Sequence, residues 1–434
     1  MDSRDVALTV LKDIETNDTF SNIALAKALK VNQFSDKKDR AFVTRLVEGT
    51  VETRLTLDYI INQFSKTRIN KCKPLIRCIL RSALYQIMYM DSVPESAAIN
   101  EAVRLTKKHG FATLSGFVNG VLRNIARGKE NIEYPDNETD YIKYLSVKYS
   151  VPEWLCEKLF LDYGDRVEKL LGNSFEERAT AIRVNELRTT REELKSMLES
   201  QGVCVQYGIY DDKALLLSGY DFIRKLPGYR QGFFTVQDES SMCMLRAAGI
   251  KQGDFVVDVC AAPGGKSTGA YEYTGPGGKV ISRDISRDKL ELIEENATRL
   301  GHVENGDAFV IEEYDALKPD ESLYNLADVV IADLPCSGLG IMNRKNDIKY
   351  RVTAEQLEEL AKLQRDILEV VCKYVRPGGR LIYSTCTINP AENEENVKWF
   401  TERHGDFSVV SGRLFLQGID KCDGFFYSVM QREE

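Results

Sequence analysis

From residue 255 onward, the sequence alternates between short apolar stretches of strand length and longer stretches with helical periodicity. This alternation is the signature of a doubly wound parallel sheet whose faces are covered by helices. Such sheets bind ligands at the carboxyl ends of their strands, so the residues that follow each strand are candidates for a functional site. We predict strands at residues 255–259, 279–283, 308–311, 328–332 and 380–384, with a closing pair near 407–410 and 424–430.

Two of these strands end in a cysteine. The strand at 328–332 runs into Asp333-Leu-Pro-Cys336-Ser, and the strand at 380–384, which follows the turn residues 377–379, runs into Ser-Thr-Cys386-Thr. Most cysteines are small buried hydrophobic residues, and structural ones more often lie in the middle of a strand. Two thiols and one carboxylate at the same sheet edge are hard to attribute to packing, so we predict a chemical role for all three.

The first strand of this domain leads into the glycine-rich turn Asp258-Val-Cys260-Ala-Ala-Pro-Gly-Gly-Lys266. A phosphate-binding loop would need glycine at position 260, and the dinucleotide fingerprint G-x-G-x-x-G is absent. S-adenosylmethionine remains: the small-residue turn would hold its methionine end, and Asp284, after the second strand, would take the ribose hydroxyls. The alternative without a ligand is a tight turn, with Asp284 as a helix cap.

Residues 1–128 read as helix throughout, with apolar residues at helical spacing at positions 75, 79, 80, 84 and 87. They carry 20 Lys and Arg against 13 Asp and Glu, whereas the whole chain has a net charge of −8. A basic module on an acidic body suggests an anionic partner for the module. Six basic residues occur without an acid between positions 66 and 81, and they form either a solvated helix face or a phosphate-binding surface: Lys66, Arg68, Lys71, Lys73, Arg77 and Arg81.

Three domains follow from these patterns. Residues 1–128 form the helical domain. Residues 129–231 contain a polar boundary, linker helices and a small α+β unit, with strands at 180–184, 203–207 and 214–217 and a helix at 190–201. Residues 232–434 form the α/β domain.

The helical domain resembles the NusB-like RNA-binding domain in Asp39-Arg-Ala-Phe, in the helix that begins at Arg81, in Val93-Pro94 with the Ala97–Val103 stretch, and in Phe117-Val-Asn-Gly-Val-Leu-Arg-Asn. The α/β domain resembles the RNA 5-methylcytosine methyltransferases of the NOL1/NOP2/Sun family in Cys-Ala-Ala-Pro-Gly-Gly-Lys, Asp-x-Pro-Cys-Ser and Ser-Thr-Cys-Thr. The two resemblances together imply methyl transfer from S-adenosylmethionine to C5 of a cytosine in 16S rRNA, with cytosine 967 as the expected target and S-adenosylhomocysteine as the product.

The resemblance also implies roles for single residues. Cys386 adds to C6 of the cytosine and Cys336 assists breakdown of the adduct, although the residues themselves do not decide between the two thiols. Asp333 binds the cytosine edge, and Lys266 favours a thiolate or orients the base. The small RNA-binding subdomain of the family is matched at Arg183-Val-Asn185, which predicts RNA contacts there. The implied cofactor residues are Cys260, Ala261, Ala262, Pro263, Gly264, Gly265, Lys266, Asp284, Asp315 (with Asp307 as a competitor near the adenine) and Asp333.

Other features of the sequence concern metal binding, disulfides, cellular location and RNA contact. The spacing of the ten cysteines and three histidines fits neither a zinc site nor a disulfide framework. The start of the chain lacks the long apolar region of a signal peptide, and no apolar run approaches a membrane span, so we expect a cytoplasmic protein. In the family that this chain resembles, the run after Gly340 is basic, contains Pro and contacts RNA; the resemblance therefore implies RNA contact for residues 341–350, which depart from the family pattern with Asn343 and Asn346 where Arg and Pro are common. Two alternatives remain: the same chemistry on tRNA or at another rRNA site, and a non-catalytic RNA-binding assembly factor.

Overall fold

The computed structural model describes residues 2–32, 37–172, 179–275 and 277–434, which form two compact units. The first unit comprises Met1–Ser174 together with Met342–Arg351, and the second comprises Phe175–Ile341 together with Val352–Glu434. The described part of the first unit contains no strand, and the second unit contains two sheets. The predicted combination of an all-helical domain, a small α+β unit and a doubly wound domain is therefore confirmed.

Within the described ranges, ten α-helices precede the first strand: α1 (Ser3–Asn17), α2 (Ser21–Asn32), α3 (Lys37–Glu52), α4 (Arg54–Phe64), α5 (Pro74–Tyr89), α6 (Glu95–Lys108), α7 (Ser115–Gly128), α8 (Tyr141–Tyr149), α9 (Glu153–Tyr163) and α10 (Val167–Gly172). Helix α5 begins with proline, whose missing N–H costs nothing in a first helical turn. Its predicted apolar residues, including Ile79, Leu80 and Leu84, are all buried in the core of the unit. This burial explains why the helix can be apolar on most sides.

The small sheet has four antiparallel strands in the order β2-β3-β1-β4. Its strands are β1 (Thr180–Val184), β2 (Cys204–Tyr207), β3 (Ala214–Ser218) and β4 (Phe234–Val236). Helix α11 (Arg191–Glu199) begins with a capping box, in which Thr190 and Glu193 bond each other's backbone N–H groups. The three strands and the helix predicted here are confirmed. Strand β4, which the sequence placed at the start of the α/β domain, pairs with β1.

The large sheet has seven strands in the order β10-β11-β9-β8-β5-β6-β7. Its strands are β5 (Phe255–Asp258), β6 (Lys279–Asp284), β7 (Phe309–Glu313), β8 (Ala327–Asp333), β9 (Val375–Thr385), β10 (Phe407–Phe415) and β11 (Phe425–Arg432). The remaining helices are α12 (Glu239–Ala248), α13 (Gly265–Thr274), α14 (Arg287–Leu300), α15 (Ile348–Arg351), α16 (Ala354–Val371) and α17 (Glu394–Arg403). Strands β5 to β9 are parallel, and the closing pair is antiparallel.

One predicted turn lies inside a strand. Strand β9 begins at Val375, and its register against β8 shifts so that Ala327 pairs with Val375 while Val329 pairs with Arg380. Residues 377–379 therefore form a bulge within the strand rather than a turn before it. Gly379 permits this close approach, because a Cβ there would lie 3.0 Å from the carbonyl oxygens of Ala327 and Asp328.

The segment Met342–Arg351 leaves the second unit and packs within the first. The Tyr350 hydroxyl lies 2.7 Å from the carbonyl oxygen of Glu52 and 2.8 Å from Ser150 Oγ, and the Arg54 guanidinium lies 3.9 Å from the centre of the Tyr350 ring. Lys349 is 1% exposed and donates to the carbonyl oxygen of Tyr149. The expected RNA contact of this run therefore does not extend to its last residues, whose polar groups are used inside the helical unit.

Candidate active site

The site lies where the strand order of the large sheet reverses. Strand β5 has β6 on one side and β8 on the other, and ligands of doubly wound sheets bind outside the strand ends at such a point. The carboxyl ends of four adjacent strands bring Asp258, Asp284, Asp333 and Cys386 to one edge. Asp333 pairs with Ser384 across the parallel strands β8 and β9, which fixes the two cysteine-containing loops side by side.

The two predicted thiols meet at this edge. Cys336 Sγ and Cys386 Sγ lie 3.3 Å apart, and neither cysteine is in a disulfide. The hydrogen bond to Cys386, together with burial, raises the pKa of the Cys336 thiol well above its ordinary value. Cys336 therefore keeps its proton at neutral pH, and either sulfur can be the donor of the 3.3 Å contact.

A cation and a carboxylate stand beside the thiols. Lys266 Nζ lies 2.6 Å from Asp333 Oδ2, and Ser384 donates a 2.8 Å hydrogen bond to Asp333 Oδ1. Burial opposes the charge of Lys266, but the Asp333 carboxylate outweighs burial, so the pKa of Lys266 is raised, with a further contribution from Cys386. Lys266 is therefore a permanent ammonium group at neutral pH. Its charge favours a thiolate on a neighbouring cysteine.

Ser384 is a site residue that the sequence analysis missed. It is the last residue of the strand predicted at 380–384, and ligands of doubly wound sheets bind at the carboxyl ends of strands. That position was the available signal.

The glycine turn connects β5 to α13. Gly264 has a φ of +96°, and a Cβ there would lie 3.2 Å from the Ile293 backbone of α14, so both the conformation and the space favour glycine. The N-cap of α13 is Gly264, and no side chain of a described residue caps the first turn of this helix. The amide groups at the start of this ten-residue helix therefore face the site and suit an anionic group such as a ligand carboxylate.

Asp284 fastens this turn to the end of β6. Its carboxylate accepts from the N–H of Ala262 at 3.0 Å and from that of Ile285 at 2.8 Å, and Lys289 Nζ lies 3.0 Å away. The alternative role of Asp284 as a helix cap does not hold, because the N-cap of α14 is Ser286.

Asp258 is buried at the end of β5. It accepts a 2.6 Å hydrogen bond from Ser267, while its second oxygen has no hydrogen-bond partner among the residues that the structure describes. Burial raises the pKa of Asp258 to about 7. With Asp284, Asp333 and the uncapped start of α13, it makes a donor and acceptor set that fits the ammonium, carboxylate and ribose groups of S-adenosylmethionine.

Three further predicted residues fall at different places. Asp315 follows β7 and therefore lies at the same sheet edge as Asp284, whose carbonyl oxygen accepts from the N–H of Tyr314. Asp307 precedes β7 and so lies at the opposite edge. Burial raises the pKa of the Cys260 thiol, the largest of several effects in that direction, so Cys260 stays protonated.

The basic residues between positions 66 and 81 divide into two groups. Lys66, Arg68, Lys71 and Lys73 are exposed. Arg81 instead forms a two-pronged contact with Asp58 at 2.7 Å and also pairs with Glu15, which Arg77 contacts as well. Only the first group offers its charges to a partner, and the second holds helices together.

The structure does not bring Arg183 and Asn185 to the surface. Arg183 is 2% exposed and donates to Glu272 and to the carbonyl oxygen of Gly265. Asn185 is fully buried and donates to the carbonyl oxygens of Gly232 and Leu300. The expected RNA contacts are replaced by bonds within the protein, which leave these side chains no access to RNA.

Within the described residues, no group of three or more His, Cys, Asp or Glu side chains is arranged to hold a metal ion. In the same part of the chain, every helix is too short or too polar to cross a membrane.

Comparisons with known proteins agree with this architecture. The NusB family matches residues 1–127, the ferredoxin-like domain of RsmF/B-like methyltransferases matches 151–221, and the 16S rRNA methyltransferases RsmB/F match 246–429. Among solved structures, PH0851 has a TM-score of 0.83 at 24% identity and covers all of this chain and 99% of its own. A methyltransferase homologue from Pyrococcus horikoshii has a TM-score of 0.60 at 22% identity and covers 68% of this chain and 99% of its own. These likenesses show the fold.

Curated relatives are similar over almost the whole chain. A probable ribosomal RNA small subunit methyltransferase B from Bacillus subtilis is 37% identical over 99% of this chain and 98% of the relative. A protein of the same description from Synechocystis is 34% identical over 99% of both chains. The chain therefore belongs to the RsmB/F family of S-adenosylmethionine-dependent small-subunit rRNA methyltransferases, with a NusB-family helical domain at its front.

Proposed function

We propose that this protein transfers a methyl group to C5 of a cytosine in 16S rRNA, with cytosine 967 as the target, through a covalent bond between Cys386 and C6. One observation carries the proposal: two thiols lie 3.3 Å apart at adjacent strand ends. Methyl transfer to an exocyclic nitrogen or a ribose hydroxyl needs no thiol, whereas a ring carbon needs a nucleophile to activate it.

The reaction follows from the weak nucleophilicity of cytosine C5. The Cys386 thiolate adds to C6, and the resulting enamine carries electron density at C5. S-adenosylmethionine supplies an electrophilic methyl group when bound. After C5 is methylated, its proton leaves, the Cys386–C6 bond breaks, and the aromatic ring returns. Asp333 accepts a hydrogen bond from the N3/N4 edge of the base and stabilises its protonated form. The base must leave its stack to reach the thiol.

The two thiols differ in a way that suits two roles. Cys336 is held protonated chiefly by its hydrogen bond to Cys386. Once Cys386 is bound to C6, its sulfur is a neutral thioether, so the main cause of the raised pKa of Cys336 disappears. The Cys336 thiol therefore releases its proton more readily at this stage, and the thiolate that forms is available to accept the C5 proton.

We assign the cofactor to the turn of residues 260–266 and to the acids around it. The uncapped N–H groups at the start of α13 would take the methionine carboxylate. Asp284 would take the ribose hydroxyls, Asp315 would lie by the adenine, and Asp333 would lie by the methyl group.

The substrate assignment rests on the helical domain and on the relatives. The four exposed cations Lys66, Arg68, Lys71 and Lys73 give phosphate affinity that does not depend on sequence. The relatives over the full length are described as ribosomal RNA small subunit methyltransferases. These observations favour 16S rRNA over tRNA. Two retained thiols disfavour a non-catalytic assembly factor.

The test is bisulfite sequencing of RNA methylated by the purified protein. Unmodified 16S rRNA and a tRNA pool are incubated with S-adenosylmethionine and either the protein or its Cys386→Ala variant. We expect one protected cytosine, at position 967 of 16S rRNA, with the wild-type protein alone. Protection in tRNA, or none in either RNA, would contradict the assignment.

A further inference from the structure

We propose that Glu392 is a positioning residue that holds the two cysteine loops at their reactive separation. It is fully buried, in the short helical turn Pro390–Glu392 after Cys386. Oε1 accepts from Ser337 Oγ at 2.5 Å and from Asn389 Nδ2 at 3.0 Å, and Oε2 accepts from Ser337 N at 2.9 Å and from Gln364 Nε2 at 3.0 Å. The inference rests on the proposed function, because it assigns a role in the same reaction.

The four donors come from three separate segments. Ser337 directly follows Cys336, Asn389 lies three residues beyond Cys386, and Gln364 lies on α16. Gln364 also donates to the carbonyl oxygen of Pro335, on the other side of Cys336. The Glu392 carboxylate is therefore hydrogen-bonded to the Cys336 loop directly at Ser337 and indirectly, through Gln364, at Pro335.

A second bond joins the loops directly, since Ser337 Oγ lies 2.7 Å from Thr387 Oγ1. Below this contact, the Tyr383 hydroxyl lies within hydrogen-bond distance of the carbonyl oxygen of Glu392 and of Gln364 Oε1, and its one hydrogen is donated to either of them. Asn393 receives a hydrogen bond from Thr385 and donates to the carbonyl oxygen of Thr387. Each carboxylate oxygen of Glu392 accepts two hydrogen bonds, and a buried carboxylate bonded in this way is a rigid support, so the distance between the sulfurs depends on this network.

The two cysteine loops differ in how strongly their positions depend on Glu392. The Cys386 loop has several other supports, whereas two of the four bonds to Glu392 are made by Ser337. Replacing the carboxylate should therefore displace Cys336 more than Cys386. Addition to C6 would continue, but breakdown of the adduct would slow, since Cys336 assists that step.

The test is Glu392→Gln, with Glu395→Gln as the matched control. Glu395 is an exposed acid on the same segment. Glutamine keeps the size of the side chain but replaces one accepting oxygen by an NH₂ group, which faces at least one N–H donor whichever way the amide turns. Turnover, KM for RNA and the fraction of protein bound covalently to RNA on a denaturing gel are measured at equal amounts of folded protein.

We expect kcat of Glu392→Gln to fall about tenfold or more with KM for RNA nearly unchanged, the scale expected for loss of a hydrogen bond to a charged group. Covalent adduct should accumulate, as in Cys336→Ala. The double variant with Cys336→Ala should hold no more adduct than Cys336→Ala alone, because both act on one step. Ser337→Ala, which removes one donor, should show a smaller increase and carries the test if Glu392→Gln does not fold.

Normal turnover of Glu392→Gln, or reduced turnover without adduct, would overturn the inference about Glu392. The proposed function would still stand in either case if the wild-type protein methylates cytosine. Adduct in the double variant well above that of Cys336→Ala would also overturn it. Failure of the wild-type protein to form 5-methylcytosine would instead remove the proposed function, and the inference with it.

Discussion

The sulfur atoms of Cys336 and Cys386 lie 3.3 Å apart although 50 residues separate them in the chain. Their meeting follows from the parallel pairing of β8 and β9, in which Asp333 is the register partner of Ser384. Each cysteine thus lies just beyond the end of its strand on the same sheet edge. The pair sits where the order of strands reverses, beside the Lys266–Asp333 ion pair.

The two thiols should fail in different ways. Cys336→Ala should form a covalent RNA adduct that accumulates, because the proton acceptor for the last step is gone. Cys386→Ala should form neither adduct nor 5-methylcytosine. Both are checked by denaturing gels of protein incubated with 16S rRNA and S-adenosylmethionine. Adduct with Cys386→Ala would reverse the assignment of the two roles. Cys260→Ala is the control, because it removes a thiol from the neighbouring turn.

Lys266→Met should slow alkylation of Cys386 by iodoacetamide at neutral pH. The ammonium of Lys266 favours a negative charge on the neighbouring sulfur, and methionine keeps the length of the side chain without the charge. The alkylation profile should move to higher pH. Lys251→Met, which removes an exposed cation elsewhere in the domain, provides the control. Equal alkylation of Lys266→Met and wild type from pH 6 to 9 would show that the cation has no influence on the sulfur.

Asp258→Asn should change how stability depends on pH. Burial raises the pKa of Asp258 from the ordinary 3.8 to about 7, so the folded protein holds this proton between those pH values while the unfolded chain has released it. The contribution of Asp258 to stability therefore falls as pH rises from about 4 to about 7, by up to about 4 kcal/mol. The free energy of unfolding of wild type minus that of Asp258→Asn should decrease across this window, as measured by denaturant unfolding without ligand. A flat difference would contradict the shift, and Glu395→Gln, which replaces an exposed acid, supplies the reference variant.

Arg81→Met and Lys73→Met should separate structural from RNA-binding cations. Loss of Arg81 leaves Asp58 and Glu15 in poorly solvated surroundings, which should cost about 3 kcal/mol of stability in the helical unit. Lys73 is exposed, so its replacement should change stability by less than about 0.5 kcal/mol. Lys73→Met should instead weaken RNA binding and reduce the slope of log affinity against log salt by up to about 1. Hydrogen exchange measures the stability of the helical unit, and a salt titration measures RNA binding. Lower stability in Lys73→Met together with weaker RNA binding in Arg81→Met would refute this division.

Tyr350→Phe should loosen the segment Met342–Arg351. The hydroxyl bonds both the carbonyl oxygen of Glu52 and Ser150 Oγ, and its loss should cost about 1–2 kcal/mol, while the ring contact with Arg54 remains. Hydrogen exchange of the amides in residues 347–351 should become faster. Tyr134→Phe, at an exposed tyrosine of the same unit, should leave that exchange unchanged. Unchanged exchange in Tyr350→Phe would mean that the hydroxyl does not hold the segment.

Local signals made much of this architecture predictable. Apolar runs in the sequence predict the strands of the large sheet, and Cys336, Cys386 and Asp284 lie at or just beyond the ends of those runs. Partners distant in the chain were not predictable. Arg183 is buried because Glu272, 89 residues away, receives its guanidinium. The glycines at 378 and 379 signal a break in the backbone, but only the register against β8 shows that the strand continues through it as a bulge.

The packing of residues 342–351 within the helical unit has a consequence for protein synthesis. The ribosome makes the first ten helices early, yet the side chain that bonds Glu52 and Ser150 belongs to Tyr350 and emerges only after the glycine turn and the first cysteine loop have been translated. The helical unit is thus completed late, by a piece of chain encoded far downstream. A fragment cut at the end of α10 would lack that piece, and so would not be equivalent to the same unit in the intact chain.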